Sequence, residues 1–150
     1  MQRSKLLEES FDVQNQMTLI WKQHFAEMIR KEGITLAQMA ILFSIEELQP
    51  VMGKELAKRL GQTPSATTQS IDGLPNDSLV IREQDATDRR IIRLRLSKEG
   101  EQLVSRLKDK RKEIFYKSAE LLSDEELQAH LTFQRKALKQ LQAYMHQKQQ

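Results

Sequence analysis

Ser65, Thr68 and Gln69 fall on one face of any helix that starts at Pro64. With Asp72 they form a strip of short hydroxyls, one amide and one carboxylate. Hydroxyls near a helix N-terminus suit phosphate oxygens, and a glutamine amide can address the edge of adenine with two hydrogen bonds. A second group, Asp88-Arg89-Arg90, closes a polar loop between two apolar runs. A guanidinium at such a tip can enter a minor groove, where narrow A·T tracts concentrate negative potential. Asp88, two residues before Arg90, is expected to orient a neighbouring guanidinium by a charge-assisted bond. Both groups point toward a nucleic acid. The ordinary alternatives are a polar outer helix face and a solvated hairpin.

Other chemistry is thinly supplied. There is no cysteine, which excludes disulfides, thiolate metal sites and thiol redox sensing. His24 with Glu27, and Glu126 with His130, each make half a metal site at most, so they are expected to be surface or interface residues. Phosphate-binding glycine loops, zincin motifs and nucleophile elbows are missing, and neither catalysis nor a cofactor or metal is expected. No apolar run approaches the roughly 18 residues that span a bilayer, and acids come early in the first nine residues. A cytoplasmic protein without membrane contact is the expectation. Trp21, His24 and Phe25 share a stripe and, with Met39 and Phe43, are the expected lining of an effector cavity. Core packing is the commoner fate of such a stripe.

Thr35-Leu-Ala-Gln38 opens a helix with a capping box, and the helix runs to about Leu48 before Pro50 stops it. Gly53–Gly61 carries Leu56, Ala57 and Leu60 on one face, and Gly61 supplies the positive φ of a tight exit. Thr63 caps the next helix, with Pro64 at its first position. Two short helices around a glycine turn are a helix-turn-helix. A side chain larger than that of Ala57 would hold the two apart. Thr67, Ser70, Ile71 and Leu74 form the inner face of the second helix, which Pro75 should end early. Leu79–Gln84 and Ile91–Leu96 then read as short strands around a polar loop, a wing.

Glycine and proline are confined to positions 33–100, so the two ends of this 150-residue chain are unpunctuated. An all-β fold, which needs turns throughout, is excluded. From Lys5 to Lys31, Leu6, Val13, Met17, Ile20 and His24 follow a 3.5-residue step. That helix would run about 40 Å, against a radius of gyration of about 15 Å for a compact chain of this size. Ser97 caps a further helix carrying Leu103, Leu107, Ile114 and Phe115. Ser123-Asp-Glu-Glu126 is a second capping box, followed by Leu127, Leu131, Leu138, Leu141 and Met145. Such seams predict a dimerisation bundle, with a monomeric bundle as the alternative. The net charge of +3 is weak evidence of any partner, whereas residues 82–98 hold six basic against three acidic residues. The fold expected is mainly α with a small β-hairpin (α+β): a dimerisation helix at 1–32, a winged helix-turn-helix at 33–97, and dimerisation helices at 98–150, intertwined as one domain.

The run Glu55-Leu-Ala-Lys-Arg-Leu-Gly61, Thr63-Pro-Ser-Ala-Thr-Thr68, Asp88-Arg-Arg90 and Leu94-Arg-Leu-Ser-Lys-Glu-Gly100 resembles the MarR family of bacterial transcriptional regulators, over about Ile34 to Leu103. The resemblance implies homodimers on palindromic operators, with release by a small aromatic or anionic effector. It carries base and phosphate reading to Ser65, Thr68 and Gln69, and wing contacts to Asp88 and Arg90, with Arg89 adding a phosphate contact. The sequence departs from the family pattern at Gln69, where arginine is common, and at Ser78, where glycine is usual. Thr67 and Ser70 replace apolar residues, and their hydroxyls are expected to bond back to the preceding turn. Gly73 and Pro75 interrupt a helix that the family usually continues. The function expected is a DNA-binding transcriptional regulator, a repressor, acting on double-stranded DNA as a homodimer. The alternative is a winged-helix protein-interaction module without sequence-specific DNA binding.

Overall fold

The computed structural model describes residues 2–74 and 77–147, which fall into two compact units, 1–108 and 109–150. The first contains α1 (Gln2–Lys31), α2 (Leu36–Leu48), β1 (Val51–Met52), α3 (Gly53–Leu60), α4 (Pro64–Asp72), β2 (Val80–Gln84) and β3 (Ile92–Leu96). A 3₁₀ turn at Asp77–Leu79 precedes β2. Helix α5 (Lys98–Ala119) starts in the first unit and ends in the second, which also holds α6 (Asp124–Gln147).

The helix starts follow from their caps. At α2, the Thr35 amide donates to Gln38 Oε1 at 2.8 Å and the Gln38 amide donates to Thr35 Oγ1 at 3.2 Å. At α5, the Gly100 amide donates to Ser97 Oγ at 3.0 Å. At α6, the Ser123 amide donates to Glu126 Oε2 at 2.8 Å and the Glu126 amide to Ser123 Oγ at 3.2 Å. Each satisfies amides that a helix start leaves without partners.

The sheet holds three antiparallel strands in the order β1-β3-β2, one more than the hairpin expected. Strand β1 is too short to show alternation; it exists because buried Val51 pairs with Leu94. The hairpin runs in register from Val80↔Leu96 to Gln84↔Ile92. Leu79, expected in the strand, belongs to the 3₁₀ turn, where its carbonyl accepts from the Ser97 amide at 3.1 Å.

One core serves the first unit. Met28, Ile29 and Ile34 meet Ile41, Leu42 and Ile45 of α2, Leu56 of α3, Ile71 and Leu74, the sheet's Val51, Leu94 and Leu96, and Leu103, Val104 and Leu107 of α5. Fully burying each such side chain contributes about 1.5–3 kcal/mol. The arms differ sharply from this. On α1, Leu6, Leu7, Phe11, Val13, Met17, Leu19 and Ile20 are all exposed, at 40–66%. Helix α6 buries no residue, and Leu127, Leu131, Leu138, Leu141 and Met145 are exposed along it.

Candidate nucleic-acid interface

Helices α3 and α4 are joined by Gly61, whose φ of 63° lies in the left-handed region that side chains resist. Its position lets the Gln62 amide donate to the Ala57 carbonyl at 2.9 Å, closing α3. Ala57 is 1% exposed where the two helices pack, as the sequence required. Thr63 Oγ1 accepts from the Ala66 amide at 3.1 Å, and Pro64 occupies the first turn.

The two faces of α4 separate as expected. Thr67, Ile71 and the following Leu74 are buried, while Ser65, Thr68, Gln69 and Asp72 are exposed together. The hydroxyl bonding differs from expectation. Thr67 Oγ1 donates to the Gln62 side chain at 3.4 Å, because it faces inward against the preceding turn's side chain. Thr68 is the residue whose hydroxyl bonds back, to the Pro64 carbonyl at 2.9 Å. Helix α4 ends at Asp72 with Gly73 as its C-cap, the early end expected; Pro75 itself lies outside the described residues. Asp72 does not stand free on the outer face, because its carboxylate pairs with the Arg82 guanidinium of β2.

The wing is organised by a residue that the sequence pattern did not single out. Asp85 Oδ1 accepts from the Thr87 hydroxyl, from the Thr87 amide at 2.9 Å and from the Asp88 amide at 3.3 Å. Its Oδ2 accepts from Arg93 Nε. An aspartate followed two residues later by threonine signals such an Asx turn. Asp88 does not hold a guanidinium, contrary to expectation. Its Oδ1 instead accepts from the Arg90 backbone amide at 2.9 Å, since a short carboxylate reaches the backbone two residues on more readily than a long side chain.

These bonds hold the Asp85 carboxyl well below the usual aspartate range: first the Thr87 hydroxyl, then Arg93, then the two backbone amides. A carboxylate so lowered stabilises the folded wing at every pH above its unfolded value of about 3.9, and the contribution fades as pH falls below that value toward the folded one. Asp85→Asn should therefore unfold at lower urea than the wild type at pH 7. The gap should narrow in the same titration near pH 3, and a pH-independent gap would count against the network.

The wing's charges are unevenly used. Arg82, Arg93 and Arg95 pair with Asp72, Asp85 and Glu83 respectively. The exposed Arg89 and Arg90 have no acidic partner among the described residues. Three of the wing's basic residues are thus neutralised locally, and two guanidiniums stand uncompensated at a braced tip. On α3, Arg59 is held bidentately by Glu47, both bonds at 2.9 Å.

The residues expected to line an effector site are mostly half-buried. Trp21 stacks on Phe25 with ring centroids 5.8 Å apart, and Phe25, Met39 and Phe43 pack against the core. His24 is exposed. Both half metal sites have engaged carboxylates: Glu27 pairs with Lys31 at 3.2 Å, and Glu126 belongs to its capping box. Among the described residues no three His, Cys, Asp or Glu cluster to hold a metal, and no helix is long and apolar enough to cross a membrane.

Residues 34–92 match the sequence profile of the MarR family. Over 126 residues the chain is 31% identical to the HTH-type transcriptional repressor MdtR of Bacillus subtilis (strain 168), covering 81% of each. Its fold matches that of a MarR family protein from Bacillus stearothermophilus at a TM-score of 0.80 and 24% identity, covering 93% of this chain and 97% of that one. It also matches Streptococcus pneumoniae FabT, solved in complex with DNA, at a TM-score of 0.70 and 21% identity, covering 88% of this chain and 96% of that one. The motifs, the winged helix-turn-helix and the relative's extent agree, and the chain belongs to the MarR family of winged helix-turn-helix transcriptional regulators.

Proposed function

We propose that this chain is a homodimeric repressor of palindromic operators, with α4 in the major groove and the wing tip in the adjacent minor groove. The observation that carries this reading is the tip: Arg89 and Arg90 lack acidic partners among the described residues, on a loop braced by Asp85 and Asp88. A loop whose backbone is already held needs little reorganisation to present a guanidinium to a narrow groove or a phosphate. Ser65, Thr68 and Gln69, exposed on one face of α4, supply the direct reading. The homodimer is supported by the exposed apolar residues of α1 and, separately, of α6. A monomer rarely leaves such stripes in water. The repressor reading is supported by the similar MdtR, itself described as a repressor. The proposal extends to release by a small aromatic or anionic effector among Trp21, His24, Phe25, Met39 and Phe43, four of which are half-buried.

Selection from random duplex DNA, with affinity measured at two salt concentrations, tests the reading. A palindrome with half-sites about one helical turn apart is expected, bound by two copies of the chain in light scattering. Enrichment of no palindrome would instead favour a protein-interaction module.

A further inference from the structure

Gln38 does more than close its capping box. It is 6% exposed, and its Oε1 already accepts from the Thr35 amide at 2.8 Å. Its Nε2 donates to the Gly73 carbonyl at 2.6 Å and to the Ser70 carbonyl at 3.3 Å. A carboxamide has two N–H donors, so both are engaged at the end of α4. A helix leaves its last carbonyls without partners, and a left-handed glycine commonly brings amides to them. Gly73 does not take that conformation, with φ at −84°. A side chain from α2 supplies the missing donors. On the other side of the same turn, Asp72 is tied to Arg82 of β2. The short α4 is therefore held at its end by α2 and by the wing.

We propose that Gln38 is a positioning residue for sequence reading: its two donated bonds fix the rotation and tilt of α4, and so the direction in which Ser65, Thr68 and Gln69 project. The proposal rests on α4 being the reading helix. Positioning can be told apart from plain stabilisation because the two act on different affinities. Base contacts depend on the angle of α4, whereas the wing's guanidiniums grip any duplex. A loss of angle lowers specific binding and leaves non-specific binding in place. A mere loss of stability lowers neither ratio nor salt response in the molecules that remain folded.

The test compares the duplex selected above with a scrambled duplex of the same composition. Gln38→Met keeps the volume and removes the donors. Affinity for the selected duplex should fall about tenfold while affinity for the scrambled one is unchanged. Thr35→Ala is the control, because it weakens the same cap of α2 without touching the α4 carbonyls. It should lower the melting temperature and leave the ratio of affinities unaltered. Should Gln38→Met fail to fold, Gln38→Asn gives the same readout, its amide being one methylene short of α4. An unchanged ratio in the Gln38 variant, or an equal drop in Thr35→Ala, overturns the positioning role. A wild-type protein that prefers no duplex over its scramble overturns the reading beneath it, and the proposal with it.

Discussion

Replacing Arg89 and Arg90 together by alanine is expected to cost about tenfold in duplex affinity per guanidinium, roughly a hundredfold in all. The wing's strand arginines are occupied: Arg82, Arg93 and Arg95 each face a carboxylate. What the wing can offer a polyanion is therefore concentrated in Arg89 and Arg90, exposed at the tip. Removing one phosphate-neutralising charge should flatten the dependence of log affinity on log salt by about 0.9, so the double variant should reduce the slope by about 1.8. Arg95→Ala supplies the contrast. Its guanidinium sits 3.9 Å from Glu83, half-exposed, and its removal should leave both affinity and slope close to wild type. Titrations of a labelled duplex across a salt series would measure all three proteins. Unaltered affinity in the double variant would remove the wing from the interface.

The second large effect is on stability. Gly100→Ala is expected to destabilise the fold by about 3 kcal/mol or more, seen as a lower urea midpoint with little change in slope. A Cβ at Gly100 would overlap the Leu79 carbonyl oxygen, far inside van der Waals contact, and would also touch Leu96. That carbonyl cannot easily retreat, because it accepts from the Ser97 amide at 3.1 Å. Helix α5 cannot easily retreat either, since Leu103, Val104 and Leu107 are buried in the core one and two turns later. Steric overlap with the Leu79 backbone leaves only a shift of the helix or of the wing's base. Gly53→Ala is the matched control. Nothing lies within 4 Å of a Cβ there, and it should be neutral or slightly stabilising.

Gly100 also shows what kind of information the sequence carried. The family motif marks the position, but the reason for it, a helix pressed against a carbonyl, is visible only once the chain is folded. Local devices were legible because each lies within a few residues of its partner. The Thr35 and Ser123 capping boxes, the Thr63–Pro64 start, the Gly61 exit and the early end of α4 all belong to this kind. So does the separation of Ser65, Thr68 and Gln69 from Thr67 and Ile71, which follows from helical period alone. The features that escaped join distant segments. Strand β1 has two residues and owes its existence to Leu94 and Arg93. Gln38 looks complete as a cap, and nothing near it announces Gly73. Asp72 reads as part of an outward-facing strip until Arg82 comes across from β2. Asp85 is the exception: its turn signal is local, but the arginines beyond it are the more conspicuous residues, and they hide the one that holds their loop.

The neutralised strands of the wing bear on how such a protein would find its target. Every genomic segment competes for a DNA reader through its phosphates, and a reader rich in free cations dwells on the wrong ones. Here the arginines of β2 and β3 are answered by acids of the same chain, which leaves the wing's share of the weak, general attraction to two side chains. Under the proposed function, a search along bulk DNA would consist of brief visits, and discrimination would come from keeping the grip on irrelevant sequence slight.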